Sequence, residues 1–184
     1  MPMDRDALVT LAFERIADTG WDAFSLSHLR SESVSLQDIA CAFSDKADLL
    51  DAFSQMMGWA LEGSPFTFTD ADTPVDRLFE VVMARLDLLA PYKQACASIF
   101  AHFENAPLEG TVFFGNLREQ AEHMTRLASL TPPPLFFASA FGAFYAALLT
   151  KWAKDNDPNL EETMAFCHKG LNKLCDFFTP QPAL

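Results

Sequence analysis

Positive charge is what this sequence has least of: 13 Lys and Arg stand against 25 Asp and Glu in 184 residues, a net of −12. A chain so acidic is repelled by phosphate at long range, so nucleic-acid binding would need a local basic face. The first fifty residues hold no such reserve, with Arg5, Arg15, Arg30 and Lys46 set against nine acids. Cysteine is sparse and scattered at 41, 96, 167 and 175 with no C-x-x-C pair, which fits reduced thiols in a cytoplasmic protein. The opening MPMDRD leads into an amphipathic stretch and not an apolar one, so no secretory signal is expected. His28, His102, His123 and His168 lack the spacing that zinc requires, and no metal or cofactor is expected.

Long apolar runs are missing too. The longest, 135–150, falls short of the ~20 residues a bilayer span needs and is interrupted by Ser139 and Gly142. It reads as a buried helix, and an integral membrane protein is not expected. No segment alternates with period two, which argues against strands. There is no Ser/His/Asp order, no Gly-rich phosphate loop and no carboxylate pair beside a base, so an enzyme is not expected. His102 near Glu104 reads as a solvated surface pair.

What the chain has instead is helical period. Val9, Ala12, Phe13 and Ile16 stripe a first helix that Gly20 ends and Trp21 packs against. Ser25 and Ser35 can cap two short helices, the second turning Ile39 and Phe43 inward. Ser44 or Asp45 caps a long helix with Leu49, Leu50, Phe53, Met56, Met57 and Ala60 on one side. The stretch 63–73, GSPFTFTDADT, has no helical period and is the clearest break in the chain. Thr73-Pro74 opens the next helix, with Val75, Leu78, Phe79, Val82, Leu86 and Leu89 as its stripe. Pro91, 107–110 and the triple proline 132–134 divide the rest into further helices. The expectation is an all-α fold of about nine helices. It divides into a helix-turn-helix headpiece at 1–50 and a helical ligand-binding and dimerisation domain at 51–184.

The stretch 24–50 carries a family resemblance. Gly20-Trp21, Val34, Ser35, Ile39, Phe43, Lys46, Leu49 and Leu50 fall at the offsets of the headpiece of the TetR family of bacterial regulators, which the chain resembles over its first third. Beyond that third the likeness is one of architecture. The resemblance implies a homodimeric one-component transcription regulator that binds DNA and is controlled by a small apolar effector in its body. It assigns DNA contacts to Ser35, Leu36, Gln37, Cys41 and Lys46. This sequence departs from the family pattern where Ser33 replaces a Gly, where Ala40 replaces a phosphate-contacting Tyr, and in a turn one residue short. No Lys or Arg lies within 33–45, while Asp38 and Asp45 do. A second group with the same layout, the lipid-binding accessory proteins of ubiquinone biosynthesis, is similar at the Gly-Trp step and at LLTKWAKDNDPNLEETMAF. It implies the alternative: an isoprenoid- or lipid-binding protein without DNA affinity.

Eighteen Phe and seven Met exceed what a minimal core needs. Aromatics at helical spacing ordinarily make core, and the same residues incompletely packed make an apolar cavity for a hydrophobic effector or lipid. Phe100, Phe103, Phe113, Phe114, Phe137, Phe141 and Trp152 are the candidates for that lining. In the last helix Leu160, Met164, Cys167, Leu171 and Leu174 step by alternating four and three, the spacing of helices packed side by side. They are the candidates for a dimer seam.

Overall fold

The computed structural model describes residues 4–106, 110–130 and 134–178, with backbone alone at 110–114. Among them the regular structure is entirely helical, in eight α-helices and two 3-10 turns. The headpiece holds α1 (Arg5–Thr19), a 3-10 turn (Leu26–Leu29) and α2 (Leu36–Ala42), and leads into α3 (Lys46–Glu62). The body holds α4 (Pro74–Leu89), a 3-10 turn (Ala90–Tyr92), α5 (Lys93–Asn105), α6 (Gly110–Leu127), α7 (Phe137–Lys154) and α8 (Glu161–Phe178). The expected count of nine becomes eight because the segment capped by Ser25 is only four residues long. A segment that short closes a 3-10 turn and cannot build a run of i→i−4 bonds.

Local chemistry sets the boundaries. Gly20 takes φ +81°, a region open to glycine, and donates its N–H to the Ile16 carbonyl at 2.8 Å. The Asp45 carboxylate caps α3 by accepting the Asp48 N–H at 2.8 Å. Thr73 and Asp76 form a reciprocal capping box on α4, with Pro74 in its first turn. Pro91 lies in the 3-10 turn that joins α4 to α5, so the break there is a bend and not a long loop.

One hydrophobic core runs from Leu8 and Phe13 of α1 through Leu49 and Phe53 of α3 to Leu148 and Trp152 of α7. Headpiece and body therefore share buried surface, and α3 belongs to both. The Trp21 N–H donates to Ser98 Oγ of α5 at 2.8 Å, a further tie between them. Helices α6 and α7 cross closely: a Cβ added at Gly142 would lie 3.0 Å from the Arg118 Cα. Helix α8 packs on α4 and α7. Among the described residues no helix is long and apolar enough to cross a membrane.

Candidate functional site

Two places were marked by the sequence, the outer face of α2 and the interior of the body. In α2, Ser35 Oγ accepts the Asp38 N–H at 3.1 Å, while Asp38 Oδ2 accepts the Ser35 N–H at 3.0 Å and hydroxyl at 2.7 Å. These bonds, the side-chain one foremost, hold the Asp38 carboxyl below its usual range. The amino end of α2 therefore presents an ionised carboxylate, and Ser35 is engaged in the cap. Leu36 (51% exposed), Gln37 and Cys41 do face outward, with Ala40 beside them.

Lys46 does not join them. It was expected to reach outward to phosphate, but its Nζ donates to the Trp21 carbonyl at 2.6 Å and the Phe24 carbonyl at 3.2 Å. It also lies 4.0 Å from the centre of the Trp21 ring. The lysine clamps the loop after α1 onto the start of α3, a structural role. Arg5 is likewise occupied, by Asp48 at 2.7 Å and the Ala42 carbonyl at 3.2 Å.

The proposed aromatic lining divides. Phe137 and Phe141 pack on each other at 6.0 Å, and Phe137 meets Phe178 at 5.4 Å. Trp152 is 1% exposed and lies under the Lys93 ammonium. These three are core. Phe100 and Phe103 border a void of only about 20 Å³, and Phe100 also borders a larger cleft described below. The side chains of Phe113 and Phe114 lie outside the described residues.

The seam of α8 is internal. Cys167 and Leu171 are 0% exposed within a single chain, packed by α4 and α7. They are corrected from interface to core: the four-three period marks a buried helix face, which here the chain's own helices cover. On the same stripe Leu160 and Leu174 are half-buried and Met164 is exposed, while Phe166 is exposed on another face of the helix.

The body's cavity lies elsewhere, between α3, α4 and α6. Its volume is about 320 Å³, and its walls are mostly polar, among them Asp51, Gln55, Glu62, Arg85, Asn116, Glu119, Gln120 and His123. Arg85 forms the floor. It is 3% exposed, its Nη2 donates to Gln120 Oε1 at 3.0 Å, and its Nε has no hydrogen-bond partner of ordinary geometry. No carboxylate among the described residues pairs with it. Behind Arg85 lies an apolar cleft of about 40 Å³, bordered by Phe13, Phe53, Ile99, Phe100, Leu117 and Leu149, which Arg85 and Tyr145 also line.

Tyr145 is 0% exposed, and among the described residues its hydroxyl makes no hydrogen bond of ordinary geometry. Burial pushes the phenol's pKa up, partly opposed by the charge of the nearby Arg85 guanidinium and a loose hydrogen bond with it. Burial also pushes the Cys96 thiol, on the same cleft, up to about 12. On the cavity wall His123 Nε2 lies 3.0 Å from the Glu62 carboxylate, off the line of a good hydrogen bond. Burial lowers the His123 pKa, and Glu62 opposes that only in part.

Arg85, Gln120, His123 and Tyr145 were missed from the sequence. A signal existed for the first. Leu78, Val82, Arg85 and Leu89 step by four, three and four, so an arginine occupies a core position of an apolar stripe. Helix α4 indeed buries Arg85 alongside Leu78, Val82 and Leu89.

No family model matches the chain, and no curated protein is significantly similar to it. A solved structure is: the TetR transcriptional regulator from Nitrosomonas europaea superimposes with a TM-score of 0.70 at 22% identity, over 93% of this chain and 97% of that one. The likeness takes in headpiece and body together, and the fold is therefore that of a TetR regulator.

Proposed function

We propose that the chain is a TetR-type one-component regulator, a homodimer whose helix-turn-helix engages DNA and whose body holds a small effector. The observation that carries this reading is the course of α3. The helix starts at Lys46, which is clamped to Trp21 and Phe24 of the headpiece, and it lines the cavity with Asp51, Ser54, Gln55, Gly58 and Glu62. A ligand that favours one position of α3 against α4 and α6 shifts the headpiece with it. Two headpieces in a dimer then change their separation and lose register with successive major-groove half-sites.

Dimerisation uses the outer side of α7 and α8. Support comes from exposed Phe166 on α8, stacked on Phe144 of α7, and from an open groove of about 520 Å³ between α6 and α7, lined by Gly115, Arg118, Ser139, Gly142, Ala143 and Ala146. Small residues along such a groove let a partner helix approach closely, as in a four-helix interface.

A gel shift at low salt with DNA flanking the protein's own gene tests the DNA arm. Retardation at micromolar protein, abolished by Gln37→Ala with Leu36→Asp, is the expected result. Its absence removes the regulator reading.

The rival is a TetR-fold protein that binds a lipid or isoprenoid and no DNA. It is favoured by the α2 surface, where Asp38 is ionised and Lys46 is turned inward. Phosphate contacts supply much of protein–DNA affinity, and this headpiece offers few cations for them. Native mass spectrometry of the purified protein discriminates: a co-purifying lipid without DNA retardation selects the rival.

A further inference from the structure

We propose that the cavity between α3, α4 and α6 is a carboxylate-binding site, in which the anionic head of a small organic acid sits on the buried Arg85 guanidinium with Tyr145 and Gln120 as neighbouring donors. The inference deepens the effector half of the proposed function and rests on it only for the site's regulatory role. Its physical basis is a charge left without a counter-charge. Arg85 is 3% exposed, and among the described residues no carboxylate pairs with it. Among the described residues its Nε–H and the Tyr145 hydroxyl are both buried and neither makes a hydrogen bond of ordinary geometry, each having the other as polar neighbour. Two such groups side by side are costly to maintain in a folded protein unless something else satisfies them.

A guanidinium is a planar fork of donors that matches the two oxygens of a carboxylate. Here one prong, Nη2, is held by Gln120 Oε1 at 3.0 Å, which fixes the plane, and the buried Nε is left beside the Tyr145 hydroxyl without a well-formed hydrogen bond among the described residues. Arg85 lines both the polar cavity and the apolar cleft, so an anion bound to it has both within reach. The cavity, about 320 Å³, is at the small end of what a whole ligand needs. The cleft of about 40 Å³ takes a short apolar extension between Phe53 and Leu149. Asp51, Glu62 and Glu119 on the cavity wall, only partly offset by Arg126, oppose negative charge anywhere but on Arg85, which favours a monocarboxylate over a diacid.

Such an acid comes from two sources, a free aromatic or short acid, or the head of a fatty acid. Both are probed with the full-length protein. Benzoate and octanoate are titrated by calorimetry and thermal denaturation, each beside its neutral amide, with succinate as the diacid. The expected result is saturable binding and a raised Tm for one or both acids, and none for benzamide, octanamide or succinate. Benzoate alone identifies the free-acid source and octanoate alone the lipid-derived one.

Arg85→Gln weakens acid binding at least tenfold. Tyr145→Phe, which keeps the ring and loses only the orphaned hydroxyl, weakens it several-fold and serves if the first variant fails to fold. No binding of either acid, equal binding of acid and amide, or undiminished binding by both variants overturns the proposal. Failure here with intact DNA retardation leaves the regulator reading standing. Acid binding without DNA retardation does the reverse.

Discussion

Replacing Arg85 with methionine should leave the protein as stable as before or more so, the opposite of the usual result for a buried side chain. Arg85 is 3% exposed; its Nη2 donates to Gln120 at 3.0 Å, and the Tyr145 hydroxyl is a further polar neighbour. Losing a charge-assisted bond of that kind costs about 1.5–3 kcal/mol. Against it stands the desolvation of a cation without a paired anion, an effective penalty of several kcal/mol. Water in the adjoining cavity returns part of that penalty, so the balance is a gain of about 1–3 kcal/mol. Methionine keeps an unbranched apolar stem on the buried face that Arg85 shares with Leu78, Val82 and Leu89, and opens no large void. For a chain of this length each kcal/mol is worth about 2–4 °C in melting temperature. Thermal denaturation followed by circular dichroism, without added ligand, reads it directly. A fall of more than a few degrees would refute the reasoning, because it would mean that the guanidinium is well satisfied and holds α4 against α6.

Lys46→Ala should destabilise the fold itself, by about 1–3 kcal/mol, because two carbonyl bonds and a cation–ring contact are lost. An unchanged melting temperature with weakened DNA binding would instead return Lys46 to the DNA surface. Leu171→Asp should unfold the protomer, with a loss above about 3 kcal/mol, while Phe166→Asp should split dimers with little loss of stability. Light scattering and denaturation on both variants separate the two cases, and a folded monomer from Leu171→Asp contradicts the packing described. The depressed pKa of His123 means that the unfolded chain takes up its proton first as pH falls. Stability should decline as pH drops from the ordinary histidine value of about 6.5 toward the lower folded-state value, and a His123→Gln variant should flatten that decline. An identical pH profile for both proteins would refute it.

Much of the fold was legible from single segments. Gly20 as a helix end, Ser35 and Asp45 as caps, Thr73-Pro74 as a helix start and the patternless 63–73 stretch are local signals, each decided within a few residues of chain. The site was less legible. Lys46 stands where the family pattern wants it, but its direction depends on the Trp21 and Phe24 carbonyls more than twenty residues away. Cys167 and Leu171 announced a buried stripe without announcing what buries it.

The aromatic residues drew attention as a cavity lining because of their number. Phe137, Phe141 and Trp152 instead fill the core, and the open space fell to polar side chains of α3, α4 and α6. Arg85 could be seen in the sequence as a charge in an apolar stripe. That no carboxylate among the described residues pairs with it could not, since this depends on which helices face α4.

Period and capping are properties of contiguous residues, so the helices, their caps and the apolar face of each could be read along the chain. Which faces meet, what Lys46 and Arg85 touch among the described residues, and where space is left emerged only on folding. Those outcomes depend on contacts between residues far apart in the chain, and no local pattern encodes them.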